Sequence, residues 1–571
     1  MIQLNTAIGP QPTLKVDSIT FNNGETIKIN NNDIVVFVGP NNAGKSQSLK
    51  DIYACIKNKS QKVVIKNISI TLQNSENDEN FINSYSTCST KNERGPLYSG
   101  LNFNIYPYHL ENHKLRKDLV AEFCGLFVNE IKTDDRLSVV NPPKLLSEGA
   151  PPTHPIHNIK SHPDLRIKLS DYFYKAFGQH LTPGFDSINI PLFIGAPIIL
   201  DGNFEDEQLR QEEYKKRLSQ LPKLDEQGDG MRSFTGVLLN LLMPNYSCFL
   251  IDEPESFLHP PQAKILGQIF QEVIPDNKQA FISTHSLDFL KGLISSCHHR
   301  VKIIRITRDR DLTQVSLLDN EILKSLWKDS LLGFSNLMDS VFHESTIVCE
   351  SDSDCRFYSM MLEHIKSIEG TSMNSLFTYC GGKQRFPNVA MTLKALNVKF
   401  KIIPDLDILN DEGLFKTLFE TCGGNWNDIK SKYNTIVNGV KSLDRPTLLQ
   451  DQKDRLEEIF SKFEKEKIKE LNKKQLDELR SVIHERKGWS LIKKSGISVL
   501  PNGEAQNAIV TLNQKMEEVG IHMIMVGELE NFVRTVGGHG PKWVEKVVEQ
   551  NPDLNSPIYE NAKQFISGLN L

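Results

Sequence analysis

Nine cysteines are scattered along this 571-residue chain, and no two of them are spaced as a CxxC pair. That absence argues against a disulfide framework and against a Cys-rich zinc site. Long apolar runs are missing too: none approaches the roughly 18–20 residues that a membrane span requires. The opening Met1-Ile2-Gln3-Leu4-Asn5 has neither the basic start nor the apolar stretch of a secretory signal. The expectation is a reduced, cytoplasmic protein with no membrane partner. Strong charge is also lacking, since 66 Lys/Arg against 71 Asp/Glu leave a net −5, which neither favours nor excludes a polyanionic partner bound in a local basic groove. The hydrophobic share of 39% and charged share of 24% are those of an ordinary globular protein. The length allows two to four domains.

What is present begins at Ile34-Val35-Val36-Phe37-Val38, a continuous apolar, β-branched run expected as a strand buried on both faces. Gly39-Pro40-Asn41-Asn42-Ala43-Gly44-Lys45-Ser46 follows it directly, and Gln47 to Ile56 can be helical. Strand, Gly-rich loop and helix N-terminus together make a phosphate cradle. Gly39, Asn41, Asn42 and Gly44 let backbone N–H groups approach the phosphates, Lys45 reaches the β/γ oxygens, and Ser46 can ligate Mg²⁺. The expected cofactor is ATP.

A second apolar strand, Ser247 to Ile251, ends in Asp252-Glu253-Pro254. Asp252 is placed to hold magnesium and Glu253 to polarise the attacking water. A third, Phe281-Ile282-Ser283, ends in Thr284-His285-Ser286, with His285 placed to sense the γ-phosphate. Between them, Gln227-Gly228-Asp229-Gly230-Met231-Arg232-Ser233 precedes a helix-like stretch from Phe234 to Met243. This placement resembles that of the Gly-rich signature of ABC-type ATPase heads, and the resemblance implies that Gly228 and Gly230 cap ATP held by a second subunit, although the usual Ser-Gly-Gly core is absent. A plain helix-initiating loop reads almost as well. No Q-loop glutamine stands out in residues 60–200. His154, His157 and His162 invite a metal-site reading, but they sit among Pro, Ser and Asn in a loop.

Some sixty residues on, the chemistry changes. Ser345 to Cys349 reads as a buried strand ending on Glu350, Ser351 to Asp354 makes the turn, and Cys355 to Ile365 can form an amphipathic helix. Leu376 to Cys380 is stopped by Gly381-Gly382, Val389 to Leu396 is helix-like, and Lys399 to Pro404 runs into Asp405-Leu406-Asp407. This alternation implies βαβ units and a parallel sheet, whose strand carboxyl ends share one edge. Glu350, Asp354, Asp405 and Asp407 would converge there. Acids so close require a hard cation, Mg²⁺ or Mn²⁺, to offset their repulsion, and such sites catalyse phosphodiester cleavage.

From Asp428 to Lys494 the chain holds 17 Lys/Arg against 12 Asp/Glu, a local excess that suits either a polyanion or a solvated pair of charged helices. Apolar positions Leu456, Ile459, Phe460 and Phe463, then Leu471, Leu479 and Ile483, slip in phase near Asn472, as in a helical hairpin. Core character resumes at Ile521 to Val526, before Gly527-Glu528-Leu529-Glu530.

Two resemblances follow from these motifs. Asp252-Glu253-Pro254-Glu255-Ser256-Phe257-Leu258-His259-Pro260 resembles the DEPExxLHP segment of RecF/SMC-like ABC ATPases that act on DNA, over roughly residues 14–310. The Glu-then-DxD pattern resembles the TOPRIM domain, with Ser351 where a glycine usually follows the first acid. A head of this kind joined to a C-terminal TOPRIM domain resembles the OLD (overcoming lysogenisation defect) nucleases. The resemblance implies an α/β chain with an ABC-type ATPase domain over 1–330, in which about 100–225 diverges as an insertion and oligomerisation element. A TOPRIM domain over 340–571 would follow, interrupted by a helical insertion over about 410–495. It implies metal-dependent DNA cutting or nicking, often in anti-phage defence, with Glu350, Asp354, Asp405 and Asp407 as ligands. Glu528 and Glu530 would add further ligands, and Lys542 would stabilise the cleaved phosphate. Implied partners are DNA, a second copy in a dimer or dimer of dimers, and a helicase or retron nucleic acid. The competing reading is a DNA-clamping repair ATPase whose second half only binds.

Overall fold

A computed structural model describes residues 12–570, except 74–87, 93–94, 101–102, 110–118, 148–149, 185–187, 199, 201–206, 244–245, 298, 311, 319–320, 322–335, 372–373, 444–448, 466–469, 473–474, 477–478, 480–481 and 483–487. Met1–Asn5 and Ile483 lie outside the described residues. The chain divides into two compact units, Met1–Leu326 and Trp327–Leu571, and both are α/β.

The first unit is built on a six-stranded sheet. Its strands are β3 (Ile34–Val38), β5 (Val128–Ile131), β6 (Cys248–Asp252), β7 (Gln279–Ser283), β8 (Val301–Asp309) and β9 (Leu312–Leu318), in the order β9-β8-β3-β7-β6-β5. All neighbours run parallel except β8 and β9. Every residue of β3 and β7 is buried, as a parallel sheet covered on both faces requires. A shared direction puts Val38, Ile131, Asp252 and Ser283 at one edge. A smaller antiparallel sheet, β2-β1-β4, is formed by β1 (Thr13–Phe21), β2 (Thr26–Lys28) and β4 (Ile65–Gln73).

Helix α1 (Lys45–Ile56) starts directly at the cradle lysine. Its buried Asp51 accepts from the backbone N–H groups of Val63, Val64 and Ile65 at 3.0, 2.6 and 3.0 Å. That bracing carries Val64 over the Gly-rich loop. Two further helices matter below: α2 (Thr133–Ser138), just after β5, and α3 (Asp229–Leu241), just before β6. Since β5 belongs to the central sheet, residues 100–225 are not one continuous insertion. The sequence did not reveal this because Val128-Asn129-Glu130-Ile131 is too short and polar to stand out as a strand.

The second unit holds a parallel sheet in the order β11-β10-β12, from β10 (Ser345–Cys349), β11 (Ser375–Tyr379) and β12 (Lys399–Ile403). Helix α4 (Asp352–Glu369) follows β10, and α5 (Phe386–Ala395) joins β11 to β12. Residues 521–524 run alongside β12 through an Ile402–Ile521 parallel bridge, with His522 N–H donating to Ile402 at 2.8 Å. The segment leading to Glu528 is thereby brought to the same edge as Glu350 and Asp405. Beneath it lies a core including Phe357, Tyr358, Phe532, Trp543 and Tyr559. Helices Glu412–Thr421, Trp426–Lys441, Leu449–Lys465 and Gly488–Ser495 occupy the segment read as a helical insertion. At the phase slip, Asn472 and Gln475 each accept from the other's backbone N–H, at 2.9 and 3.1 Å, the reciprocal arrangement that starts a helix.

Candidate active sites

The loop after β3 needs its glycines. Gly39 has φ +145°, and a Cβ there would lie 2.0 Å from Ile306 O; Gly44 has φ +103°, and a Cβ would lie 2.6 Å from Val64. No other residue fits either place without a backbone shift. Lys45 is buried, and its ammonium donates to the carbonyls of Gly39 and Pro40 at 2.8 and 2.6 Å. Burial lowers its pKa to about 8, against the opposing pull of Glu253, Asp252 and Glu255. The loop lines a cleft of ≈ 630 Å³ that also exposes Asn41, Asn42, Ser46, Glu253, His285 and Arg308.

Of the two acids that follow β6, Glu253 lines this cleft and Asp252 does not. Asp252 Oδ1 accepts from Ser283 Oγ, and Asp252 shares a smaller cavity with Ser46, Thr133 and Asp134. A hydroxyl and a carboxylate around one cavity form an oxygen donor set that fits Mg²⁺. Glu253 Oε1 lies 3.4 Å from His285 Nε2. His285 is exposed over 36% of its side chain, and burial of the rest, then Lys45, lowers its pKa. Glu253 has a left-handed backbone, φ +46°.

Two residues that sequence reasoning passed over complete this edge. Glu255 accepts from Thr284 Oγ1 at 2.7 Å and from His285 N–H at 2.9 Å, so it holds the strand end that presents the histidine. Arg136, fully buried, donates to Glu253 O at 2.7 Å. Glu255 was visible in the motif; Arg136 lies 117 residues from its partner, with no local signal. Gly228 and Gly230 sit at the start of α3 and do not line the cleft of their own chain. A Cβ at Gly230 would come within 2.9 Å of Phe257 O. The three histidines expected in a loop instead cap or lie on the helix Pro155–Ser161, and each has a structural partner: His154 accepts from Ile156 N–H at 3.2 Å, His157 pairs with Lys144 O at 2.9 Å, and His162 with Asn158 O at 2.9 Å.

In the second unit, Glu350, Asp405 and Asp407 present ligand oxygens within 4.8 Å of one another. Glu350 Oε2 and Asp407 Oδ1 are buried without a hydrogen-bond partner. Two orphaned carboxylate oxygens facing a third acid fit a hard divalent cation. Burial raises the Asp405 pKa to about 8 despite Lys493, and burial and Asp407 raise that of Glu350. Glu528, Glu530 and His539 form a second such group, in which burial, then Glu530, raises the Glu528 pKa. Asp354 does not join either group. Its Oδ2 accepts from the N–H and Oγ of Ser351 at 2.8 and 3.0 Å, closing the capping box of α4. The serine where the TOPRIM pattern has glycine thus has a role: it engages Asp354.

Two cations were missed. Lys493 Nζ lies 3.1 Å from Asp405 and 3.4 Å from Asp407, and Lys383 Nζ lies 2.9 Å from Asp407. Gly381 and Gly382 donate to Glu350 O at 3.2 and 3.1 Å, and that turn delivers Lys383. Lys542 is exposed on the helix Pro541–Gln550, two residues beyond Gly540, whose N–H donates to Glu530 at 3.0 Å.

Residues 56–291 match a family model described as "AAA domain, putative AbiEii toxin, Type IV TA system". Over 330 residues the chain is 21% identical to the Old nuclease of Escherichia phage P2, an alignment covering 55% of this chain and 49% of that protein. The resemblance to the OLD nucleases holds. The chain spans about half the length of that relative. Solved structures that part of the chain matches include an Smc head domain from Pyrococcus furiosus, 10% identical over 56% of this chain and 99% of that one, TM-score 0.31. Another is the SMC head domain of Thermotoga maritima, 11% identical over 54% and 100%, TM-score 0.28. Among the described residues, no helix is long and apolar enough to cross a membrane.

Proposed function

We propose that this chain is an ATP-regulated, divalent-metal-dependent DNA endonuclease or nickase of the OLD type, acting in anti-phage defence. One observation carries the reading. Glu350, Asp405 and Asp407 gather at a sheet edge with two buried, unpartnered carboxylate oxygens, and ATP hydrolysis has no use for them.

In the first unit, Lys45 and the loop amides would grip the β/γ-phosphates, and Ser46 and Asp252 would hold Mg²⁺. Glu253 would take the proton of the attacking water while His285 fixes its carboxylate and senses the γ-phosphate. Gly228 and Gly230 would face ATP held by another copy, so the working form is a dimer or dimer of dimers. In the second unit, Glu350, Asp405 and Asp407 would hold one Mg²⁺ or Mn²⁺, and Glu528 and Glu530, with His539, another. Asp354 would support the edge through Ser351. Bound cations would supply Lewis acidity toward a phosphodiester. Lys383, Lys493 and Lys542 would meet the phosphate's negative charge. DNA is the proposed substrate, and a helicase or retron nucleic acid the proposed partner.

A second reading has its own support. Lys383 and Lys493 already neutralise part of the acid cluster, as a binding-only half of a DNA-clamping ATPase would need. Incubating the purified chain with supercoiled and linear DNA, with Mg²⁺ or Mn²⁺ and with or without ATP, separates the two. Metal-dependent nicking or cutting is expected; intact DNA under every condition supports the clamp.

A further inference from the structure

Glu253 carries a backbone conformation that side chains rarely adopt. Its φ of +46° lies in the left-handed region, where a glutamate persists only if its surroundings impose it. Part of that constraint comes from Glu253 N–H, which donates to Ser283 O at 2.9 Å, and from Glu253 O, which accepts from Ser256 N–H at 2.9 Å. The remaining grip comes from outside the loop.

Arg136 supplies it. Its side chain is fully buried, with Nη1 donating to Glu253 O at 2.7 Å and Nη2 to Thr133 Oγ1 at 2.9 Å. Isolated burial of a guanidinium is costly, and here the carboxylates of Glu255, Asp252 and Glu253 counter it. The helix bearing Arg136 is itself locked against α3. A Cβ on Gly236 of α3 would lie 2.1 Å from Arg136 O, and Arg232 Nη2 donates to Leu137 O at 2.9 Å. From α3, Ser233 Oγ also donates to Ser256 O at 3.0 Å.

We infer that Arg136 is a positioning residue for ATP hydrolysis: by clamping the carbonyl of Glu253 in its left-handed turn, it aims the Glu253 carboxylate at the attacking water and ties that aim to α3, the helix whose first residues include Gly230. The inference rests on the nucleotide reading of the first unit. It concerns the chemical step rather than ATP binding, because Arg136 touches the backbone of the proposed base and lies outside the lining of the phosphate cleft.

The test compares Arg136→Ala and Arg136→Lys in the full-length chain, measuring thermal melting, binding of a fluorescent ATP analogue, and steady-state hydrolysis. Misplacing a general base forfeits part of its usual ~10²–10⁴-fold contribution, so kcat should fall at least tenfold in Arg136→Ala, with KM and analogue affinity changed less than about twofold. Arg136→Lys, whose amine reaches one acceptor of the two, should recover part of kcat. In a Glu253→Gln background, adding Arg136→Ala should cost less than about twofold, because the clamp acts through a carboxylate already removed. Wild-type kcat in Arg136→Ala, or the same loss in both backgrounds, overturns the inference. If Arg136→Ala does not fold, Arg136→Lys decides: undiminished kcat overturns it. A wild-type chain that turns over no ATP sinks the nucleotide reading and this inference with it, whereas turnover indifferent to Arg136 sinks the inference alone.

Discussion

Lys493 Nζ stands 3.1 Å from Asp405 Oδ2, so a lysine occupies part of the space a metal ion would claim. Burial alone would lower the pKa of Lys493, but Asp405 and Asp407 hold it above its usual range. Cation and lysine therefore compete for the same carboxylates. Replacing Lys493 by methionine should tighten Mn²⁺ binding, by at least about tenfold, since a like charge is removed from within a few ångströms. Titration calorimetry on the DNA-free chain reads this directly. Unchanged or weaker binding would mean that Asp405 and Asp407 are not ligands.

Lys45 and Glu253 should fail in different ways. Lys45→Ala removes the cation from the phosphates and should abolish nucleotide binding along with turnover. Glu253→Gln keeps the shape of the site but loses the base, so binding should persist while hydrolysis drops by about 10²-fold or more. Equilibrium binding and phosphate release, measured on both variants, distinguish these outcomes. Equal behaviour of the two would undo the division of roles.

His522 should make the second unit acid-labile. It is buried beside β12, its Nε2 lacks a partner, and burial, then Lys401, lowers its pKa from 6.5 to about 4. The unfolded chain binds this proton near pH 6.5 and the folded chain only near 4. Stability is thus fully present above pH 6.5 and is lost as the pH falls toward 4. Between pH 7 and 5 the loss should be about 1–2 kcal/mol. Urea unfolding at both values, compared with His522→Gln, checks it: the variant should lose that much less on acidification. An identical pH dependence in the two proteins would exclude His522 as the source.

The strand-borne parts of both sites were legible in the sequence, because each acid or loop directly follows an apolar strand. Val38 before Gly39, Ile251 before Asp252, Cys349 before Glu350 and Ile403-Pro404 before Asp405 all announce a strand carboxyl end, and a parallel sheet assembles such ends. The illegible parts arrive from far along the chain. Arg136 follows a four-residue strand with two polar members, and Lys493 enters from the last helix of a charged segment whose composition suits solvent equally well. Asp354 shows a different limit: its spacing from Glu350 suited a ligand, but the Ser351 side chain draws it into a helix cap. His539 escaped notice because it reaches Glu530 across a loop with no periodicity to read.

The most direct test of the account is strand scission by the full-length chain carrying Glu350→Ala with Asp405→Ala. Supercoiled plasmid would be incubated with Mn²⁺ while ATP hydrolysis is followed on the same preparation. No nicked or linear product above background is expected, with most ATP turnover intact, because the phosphate cradle and its acids belong to the other unit. Scission by this double variant at the wild-type rate would contradict the nuclease assignment.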